Sequence, residues 1–160
     1  MSRVSLNSTV IHSDNQVGLE LLAELHQAAF SPQDERPWLA GDFRDILTTA
    51  GASARIYSAG DKPVGYLLLR TILDEAELIS IAVLPTSQGQ GYAKEMMREA
   101  ISRIKRSGAE RLFLEVREDN RKALKLYYAM NFEKISERKD YYRTLSGLKL
   151  SAEVLSLDLE

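Results

Sequence analysis

The stretch LISIAVLPTSQGQGYAKEMM, residues 78–97, contains the transition that decides the fold. A run of branched apolar residues ends at Pro85, which predicts a strand that stops there. The segment QGQGYA, residues 88–93, follows it, and the next apolar side chains recur with the period of an amphipathic helix. These side chains are Ala93, Met96, Met97, Ala100, Ile101 and Ile104. The sequence therefore predicts a strand that leads into a helix through a glycine-rich turn.

The residues before this stretch predict two helices separated by a loop. Ser13 or Asp14 can cap the first helix. Its inward face is predicted to carry Val17, Leu21, Leu22, Leu25 and Ala29. Two prolines and three charged residues indicate an irregular loop at residues 31–37. A second helix is predicted over about residues 38–49.

The rest of the chain alternates between strand and helix patterns. The predicted elements are a hairpin of residues 54–59 and 64–73, a strand at 111–116, a helix at about 121–130, and strands at 132–136 and 152–159. Asp119 or Asn120 can cap that helix, and Asn131 can close it because asparagine tolerates a left-handed backbone. This order predicts a mixed α/β structure around one sheet, and we expect residues 1–160 to form one domain.

The composition excludes several classes of protein. The chain has no cysteine, which excludes disulfides, thiolate metal sites and a cysteine nucleophile. Its formal net charge of −2 shows no basic excess, which argues against nucleic acid as a partner. No signal-peptide pattern opens the sequence and no apolar run approaches the ~20 residues of a membrane helix. We therefore expect a soluble, cytoplasmic protein without a membrane partner.

The two histidines do not indicate a metal site. His12 and His26 have no carboxylate or second histidine at metal-ligand spacing. Both are expected to be ordinary residues, either at the surface or partly buried. The prediction for metal is none.

A glycine-rich turn at a helix N-terminus can bind phosphate, because the first backbone N–H groups have no partner inside the helix. The sequence contains no P-loop. The dinucleotide fingerprint G-x-G-x-x-G fails at its sixth position, where Lys94 stands. The pattern Q-x-x-G-x-A is satisfied by Gln88, Gly91 and Ala93. A plain strand–helix turn with incidental glycines is the alternative.

That last pattern resembles the acetyl-CoA signature of the GNAT family of N-acetyltransferases. Longer segments resemble the RimI branch of the family, namely residues 74–97, RLFLEVREDNRKALKLYYAMNF at residues 111–132, and KDYYR at residues 139–143. The motifs LEVREDN and ALKLYY are much more specific than the glycines. The resemblance implies a mostly antiparallel sheet with helices on both faces, and acetyl-CoA as the cosubstrate.

The resemblance also implies how acetyl-CoA is bound. The pantetheine arm is expected along the strand ISIAV, and the diphosphate on backbone N–H groups of the glycine-rich turn. For Asn120, a contact to the cofactor and a role as helix cap are compatible. The implied cofactor-binding residues are Ile81, Ala82, Val83, Gln88, Gly89, Gln90, Gly91, Tyr92, Ala93, Lys94 and Asn120.

Two catalytic residues are implied in the same way, a general base at Glu115 and a general acid at Tyr127. A carboxylate can take the proton that an amine loses, and a phenol can protonate a departing thiolate. Without the resemblance, the residues favour an exposed glutamate paired with a cation and a tyrosine packed in the core. Tyr141 or Tyr142 is expected to line the acceptor groove.

The RimI branch implies a protein N-terminal α-amine as acceptor, such as that of a ribosomal protein beginning with alanine. Two segments depart from the branch, the lengthened loop at residues 31–37 and the hairpin at residues 144–152. Both are expected to wall the acceptor site, so a lysine side chain or a small amine is an alternative acceptor. A third hypothesis is an acyl-CoA-binding module without catalysis.

Overall fold

A sheet of seven strands organises the computed structural model, which describes residues 5–160. The first four residues of the expected domain lie outside this range. The strands are β1 (Leu6–Ile11), β2 (Ala52–Ala59), β3 (Lys62–Ile72), β4 (Glu75–Val83), β5 (Arg111–Arg117), β6 (Glu133–Arg143) and β7 (Lys149–Asp158). Their order is β1-β2-β3-β4-β5-β7-β6. β4 and β5 run parallel and the other neighbours antiparallel, so the predicted mixed, mostly antiparallel sheet is confirmed.

Helices cover both faces of this sheet. They are α1 (Gln16–Phe30), α2 (Ala40–Leu47), α3 (Tyr92–Arg106) and α4 (Arg121–Ala129). The first two pack on one face and the last two on the other. β3 is buried on both sides, since Tyr66 and Leu68 face one layer while Leu67 and Leu69 face the other. None of the described helices has the length and apolar character that crossing a membrane requires.

The sequence prediction is wrong at the N-terminal end. β1 is not among the predicted elements, because polar residues at 7–9 obscure the alternating pattern of an edge strand. The cap of α1 is Asn15 rather than Ser13 or Asp14, and its side chain accepts a hydrogen bond from Gly18 N at 2.9 Å. The second helix is shorter than predicted. It begins after Leu39, whose N–H donates to the Asp42 carboxylate at 2.8 Å.

The inward face of α1 also differs from the prediction. Val17 is 77% exposed, and the buried residues of the helix are Gly18, Leu19, Leu22, Leu25 and His26. Gly18 determines how α1 is rotated about its axis, because a Cβ added to it would lie 2.9 Å from the side chain of Ile11. The helix therefore turns its glycine, and not its valine, towards β1.

The predicted ends of α3 and α4 are confirmed. Gly108 follows α3 with a φ of 99°, and Asn131 follows α4 with a φ of 71°. Both lie in the left-handed region, which glycine and asparagine tolerate best. Asn120 caps α4 by accepting a hydrogen bond from Ala123 N at 3.3 Å. The predicted residues Asn120 and Asn131 thus flank α4 at its two ends.

β4 and β5 diverge at their carboxyl ends. Their register runs only from Glu75 opposite Arg111 to Leu78 opposite Leu114. β4 contains a bulge at this point, since successive residues of β3 pair with Leu78 and Ser80 and pass over Ile79. The remaining residues of the two strands, 79–83 and 115–117, therefore flank an opening in the sheet.

Candidate active site

A cleft of about 860 Å³ occupies the opening between β4 and β5. Its walls are the ends of both strands, the glycine-rich turn before α3, one side of α4, and part of the loop at residues 31–37. A cleft where parallel strands separate is a common place for a ligand in α/β proteins. This opening brings together segments that are far apart in the sequence.

Most of the residues that the sequence singles out line this cleft. They are Ile81, Ala82, Val83, Gln88, Gly89, Gly91, Tyr92, Ala93, Lys94, Glu115, Asn120, Tyr127 and Tyr142. Gln90 and Tyr141 are not part of its lining. Tyr141 is half-exposed, and its ring lies beside the guanidinium of Arg138. Of the two tyrosines expected near the acceptor, the structure brings only Tyr142 into the cleft.

The glycine-rich turn has the backbone conformation that makes glycine necessary. Gly89 and Gly91 have φ values of 80° and 81°. A Cβ added at Gly89 would meet no protein atom within 4 Å, so conformation and not crowding requires glycine there. The Gln88 side chain donates to Val83 O at 3.1 Å and ties the turn to β4. The N-terminus of α3 therefore opens into the cleft, an arrangement that suits a diphosphate.

Glu115 lies at the end of β5 and forms an ion pair. Its Oε1 lies 2.9 Å from Arg138 Nε, and its side chain is 23% exposed. Without the family resemblance, the sequence favours a glutamate paired with a cation at this strand end. The structure contains such an ion pair. The carboxylate also lines the cleft, so the ion pair does not remove it from the site.

Tyr127, on α4, is buried and packs on Phe132, with ring centroids 5.6 Å apart. Burial raises the pKa of its phenol well above the ordinary value, and Tyr142 adds to the effect. The pKa of Tyr142 is raised to about 12 by burial first, and then by Glu115 and Glu35. Both hydroxyl groups therefore stay protonated at neutral pH and can act as donors.

Arg117 is a residue of the site that the sequence prediction missed. It is buried at 6% exposure, and its guanidinium donates to Gln33 O at 2.6 Å and to Glu35 at 2.8 Å. Two further bonds of 3.0 and 2.8 Å reach the Asp119 carboxylate. The partners in the loop lie more than 80 residues away in the chain, so no local pattern indicates them. Arg117 fixes the loop at residues 31–37 against the end of β5.

The two segments that depart from the RimI pattern contact each other. The Asp34 carboxylate accepts hydrogen bonds from Ser146 N at 3.1 Å and Ser146 Oγ at 2.6 Å. Leu145 N donates to Asp34 O at 2.8 Å. The loop at residues 31–37 and the turn between β6 and β7 are therefore linked to each other, and of these two segments only the loop lines the cleft.

His26 is more buried than the sequence suggests. It is 2% exposed and lines the cleft, with its ring stacked between Phe30 at 4.6 Å and Trp38 at 5.1 Å. Trp38 N donates to His26 Nδ1 at 3.3 Å, so the ring is neutral with its proton on Nε2. The expectation of a surface or partly buried histidine is wrong. Residues 5–160 contain no cluster of three potential metal ligands.

His26 makes the stability of the fold depend on pH. Burial lowers the pKa of His26 from 6.5 to about 4. Asp42 partly opposes this shift, and Arg36 adds a smaller lowering. Below pH 6.5 the unfolded chain binds a proton that the folded chain does not, so stability is lost as the pH falls. We expect His26 to account for a loss of up to about 3 kcal/mol between pH 7 and pH 4.

Urea unfolding of the wild type and of His26→Gln, at several pH values, measures this effect. The variant is expected to lose less stability than the wild type over this range, whereas His12→Gln, at an exposed histidine, should behave like the wild type. Equal pH dependence in the wild type and in His26→Gln would contradict the assignment.

Comparisons with known proteins agree with this architecture. Residues 19–132 match the model of the Acetyltransferase (GNAT) family. A [Ribosomal protein bS18]-alanine N-acetyltransferase of Haemophilus influenzae is 41% identical over 148 residues, which cover 92% of this chain and 97% of that protein. Its counterpart from Haemophilus ducreyi is 36% identical over 140 residues, 86% of this chain and 92% of that protein.

A solved structure confirms the fold. The crystal structure of the ribosomal-protein-S18-alanine N-acetyltransferase from Escherichia coli superposes with a TM-score of 0.85 at 24% identity. The superposition covers 98% of this chain and 95% of that one. The chain thus belongs to the GNAT family, in its RimI branch, and is an N-acetyltransferase that takes the acetyl group from acetyl-CoA.

Proposed function

We propose that this enzyme acetylates the N-terminal α-amine of a protein, and that its acceptor is a ribosomal protein beginning with alanine. The observation that carries the proposal is the near full-length similarity to two relatives named for that activity. A cleft that holds a carboxylate and a protonated phenol is compatible with it. The alternative acceptor, a lysine side chain or a small amine, uses the same acetyl donor.

In this proposal Glu115 is the general base. An α-amino group has a pKa of ~7.7–8.0, so most of it is protonated at neutral pH and cannot attack a thioester. Glu115 takes one proton from the ammonium nitrogen and so frees the lone pair that bonds to the acetyl carbon. The second proton that this nitrogen loses as the amide forms replaces the proton that the general acid gives to the thiolate. The half-buried position of the carboxylate in the cleft supports this role.

Tyr127 is the proposed general acid. The carbon–sulfur bond of the thioester breaks as the new amide forms, and the departing thiolate takes the phenolic proton. A phenol is protonated at neutral pH even with its ordinary pKa, and burial raises the pKa of Tyr127 further, so the proton is present for this step. Tyr142 lines the acceptor side and is the better supported of the two tyrosines, because Tyr141 lies outside the cleft.

Acetyl-CoA is proposed to bind along the diverging end of β4. Residues 79–83 lie beyond the last register pair with β5, so the amides of an extended pantetheine arm can pair with this strand edge. The diphosphate is proposed to lie on the backbone of the turn around Gly89 and Gly91. Asn120, which caps α4 at the cleft, completes the proposed contacts.

Gly89→Ala is expected to raise the KM for acetyl-CoA roughly five- to thirtyfold. An alanine in the left-handed conformation costs about 1–2 kcal/mol, so the turn is expected to leave the shape that presents its N–H groups. Steady-state kinetics with varied acetyl-CoA measure the effect. Gly60→Ala is a matched control, because Gly60 has a φ of 62° and equally open space but lies in the β2–β3 turn. Equal KM values for both variants would contradict the role of the turn.

Competition between acceptors tests the proposed function. The enzyme is given acetyl-CoA and an equimolar mixture of an alanine-starting peptide, free lysine and a polyamine, and each acetylated product is quantified. We expect the peptide to be acetylated at least tenfold faster than either small amine. Faster acetylation of lysine or polyamine would replace the proposed acceptor by the alternative.

A further inference from the structure

A cation already occupies the carboxylate of Glu115 in the structure. Arg138 Nε lies 2.9 Å from Glu115 Oε1, and the arginine side chain is 53% exposed. A protonated acceptor amine that gives its proton to Glu115 must come to the same carboxylate. The guanidinium and the acceptor ammonium are like charges that bind the same carboxylate, so each weakens the binding of the other.

The sheet explains how Arg138 reaches a residue two strands away. On β7, Ala152 lies opposite both Arg117 of β5 and Arg138 of β6. Residues that are opposite each other, or two apart along a strand, project from the same face, so Glu115 and Arg138 share a face. The small side chain of Ala152 leaves room for the arginine to cross β7.

An irregularity in β6 completes the arrangement. The register between β6 and β7 shifts between Arg138 and Tyr142, and Asp140 has a φ of 51° within this bulge. Tyr142 lines the cleft, whereas Tyr141 remains outside it. The ring centroid of Tyr141 lies 4.9 Å from the guanidinium carbon of Arg138. The guanidinium thus has an aromatic contact near the solvent in addition to its carboxylate.

Arg117, which lies across β7 from Arg138, is held differently. It is buried and bound to two carboxylates and a carbonyl oxygen. Arg138 combines half exposure with one close carboxylate contact and an aromatic neighbour. Of the two side chains, Arg138 is the one that can move into water at little cost.

We propose that Arg138 is a positioning residue that holds the Glu115 carboxylate in the free enzyme and is displaced by the acceptor ammonium group. The inference rests on the proposed function, in which Glu115 takes the proton of the acceptor amine. One cation replaces another beside Glu115, so the charge of the site is unchanged when the acceptor binds. The displaced guanidinium stays against the ring of Tyr141.

The test uses Arg138→Gln and Arg138→Lys with an alanine-starting, C-terminally amidated peptide whose side chains are uncharged. We expect Arg138→Gln to lower the KM for this peptide about five- to tenfold. The KM for acetyl-CoA should not change, and kcat should change less than the peptide KM. Arg138→Lys keeps the competing charge and should behave like the wild type. Arg143→Gln, on the same strand but not paired with Glu115, is the matched control.

Salt dependence gives a second measurement that a structural role of Arg138 would not alter. In the wild type, salt weakens both the Arg138–Glu115 pair that is lost and the ammonium–Glu115 pair that forms, so the peptide KM should change little. In Arg138→Gln, only the new pair is screened, so the peptide KM should rise with salt. An unchanged or higher peptide KM in Arg138→Gln, with an intact melting temperature, would overturn the inference.

Failure of the inference about Arg138 and failure of the proposed function give different results. If Glu115→Gln abolishes peptide acetylation while Arg138→Gln leaves the peptide KM unchanged, the inference alone is wrong. If the wild type does not acetylate peptide α-amines, both the inference and the proposed function are overturned.

Discussion

Replacing Glu115 with glutamine is expected to lower kcat for peptide acetylation by a factor of about 10²–10⁴, the range that general base catalysis supplies. Glutamine keeps the shape of the side chain but cannot take a proton from the amine. Binding of acetyl-CoA should persist, because the proposed cofactor contacts lie on β4, the glycine-rich turn and Asn120. The kcat from thiol release and the dissociation constant from calorimetry measure the two effects.

The control for this variant is Glu110→Gln, which changes the same functional group at an exposed position. It should keep the wild-type kcat. A Glu115→Gln enzyme that retains more than a third of the wild-type kcat would show that another group, or bulk water, takes the proton.

Replacing Tyr127 with phenylalanine is expected to lower kcat by a factor of about 10², at the lower end of the range for a general acid. Phenylalanine preserves the ring and its packing on Phe132, so the fold should be retained. The loss should appear in kcat, because the hydroxyl acts on the departing thiolate and not on the bound acceptor. Single-turnover kinetics with saturating substrates isolate this step.

Tyr57→Phe serves as the control, since it also removes a phenolic hydroxyl from a buried tyrosine. Tyr57 bonds to Arg103 at 3.2 Å and does not line the cleft. Its loss should leave kcat unchanged, whereas a Tyr127→Phe enzyme within threefold of the wild type would contradict the assigned role.

Local patterns predict the framework of the fold, whereas most of the cleft residues are implied by the resemblance to the GNAT family. The strand, glycine turn and helix at residues 78–104 follow from local propensity and period, and the structure forms them as predicted. Asn120 and Asn131 mark the two ends of α4, because asparagine is favoured both as a helix N-cap and at a left-handed residue after a helix. These features depend on residues close in the chain, which is why the sequence alone is sufficient.

Contacts between distant segments account for what the sequence could not predict. The rotation of α1 depends on close packing of Gly18 against β1, and β1 itself has weak apolar alternation. The burial of His26 depends on Trp38, which stacks on its ring. The link of Arg117 to Glu35 joins residues 82 positions apart. None of these pairings has a fixed spacing, so a sequence pattern cannot reveal them.

The two segments that depart from the RimI pattern are linked to each other and to β5. Arg117 binds the loop at residues 31–37 to β5, and Asp34 binds it to the turn at residues 144–148. The departures are therefore one linked change instead of two independent ones, and only the loop lines the cleft. We expect a change in this loop to alter peptide preference and to leave the chemistry the same.

The most direct test of the central claim is mass spectrometry of acetyl transfer from acetyl-CoA to two matched peptides. One begins with a free alanine α-amine and contains no lysine, and the other has a blocked N-terminus and one internal lysine. We predict a mass increase of one acetyl group on the first peptide, with fragment ions that place it on the α-amine, and none on the second. Acetylation of the internal lysine alone, or of neither peptide, would contradict the proposed function.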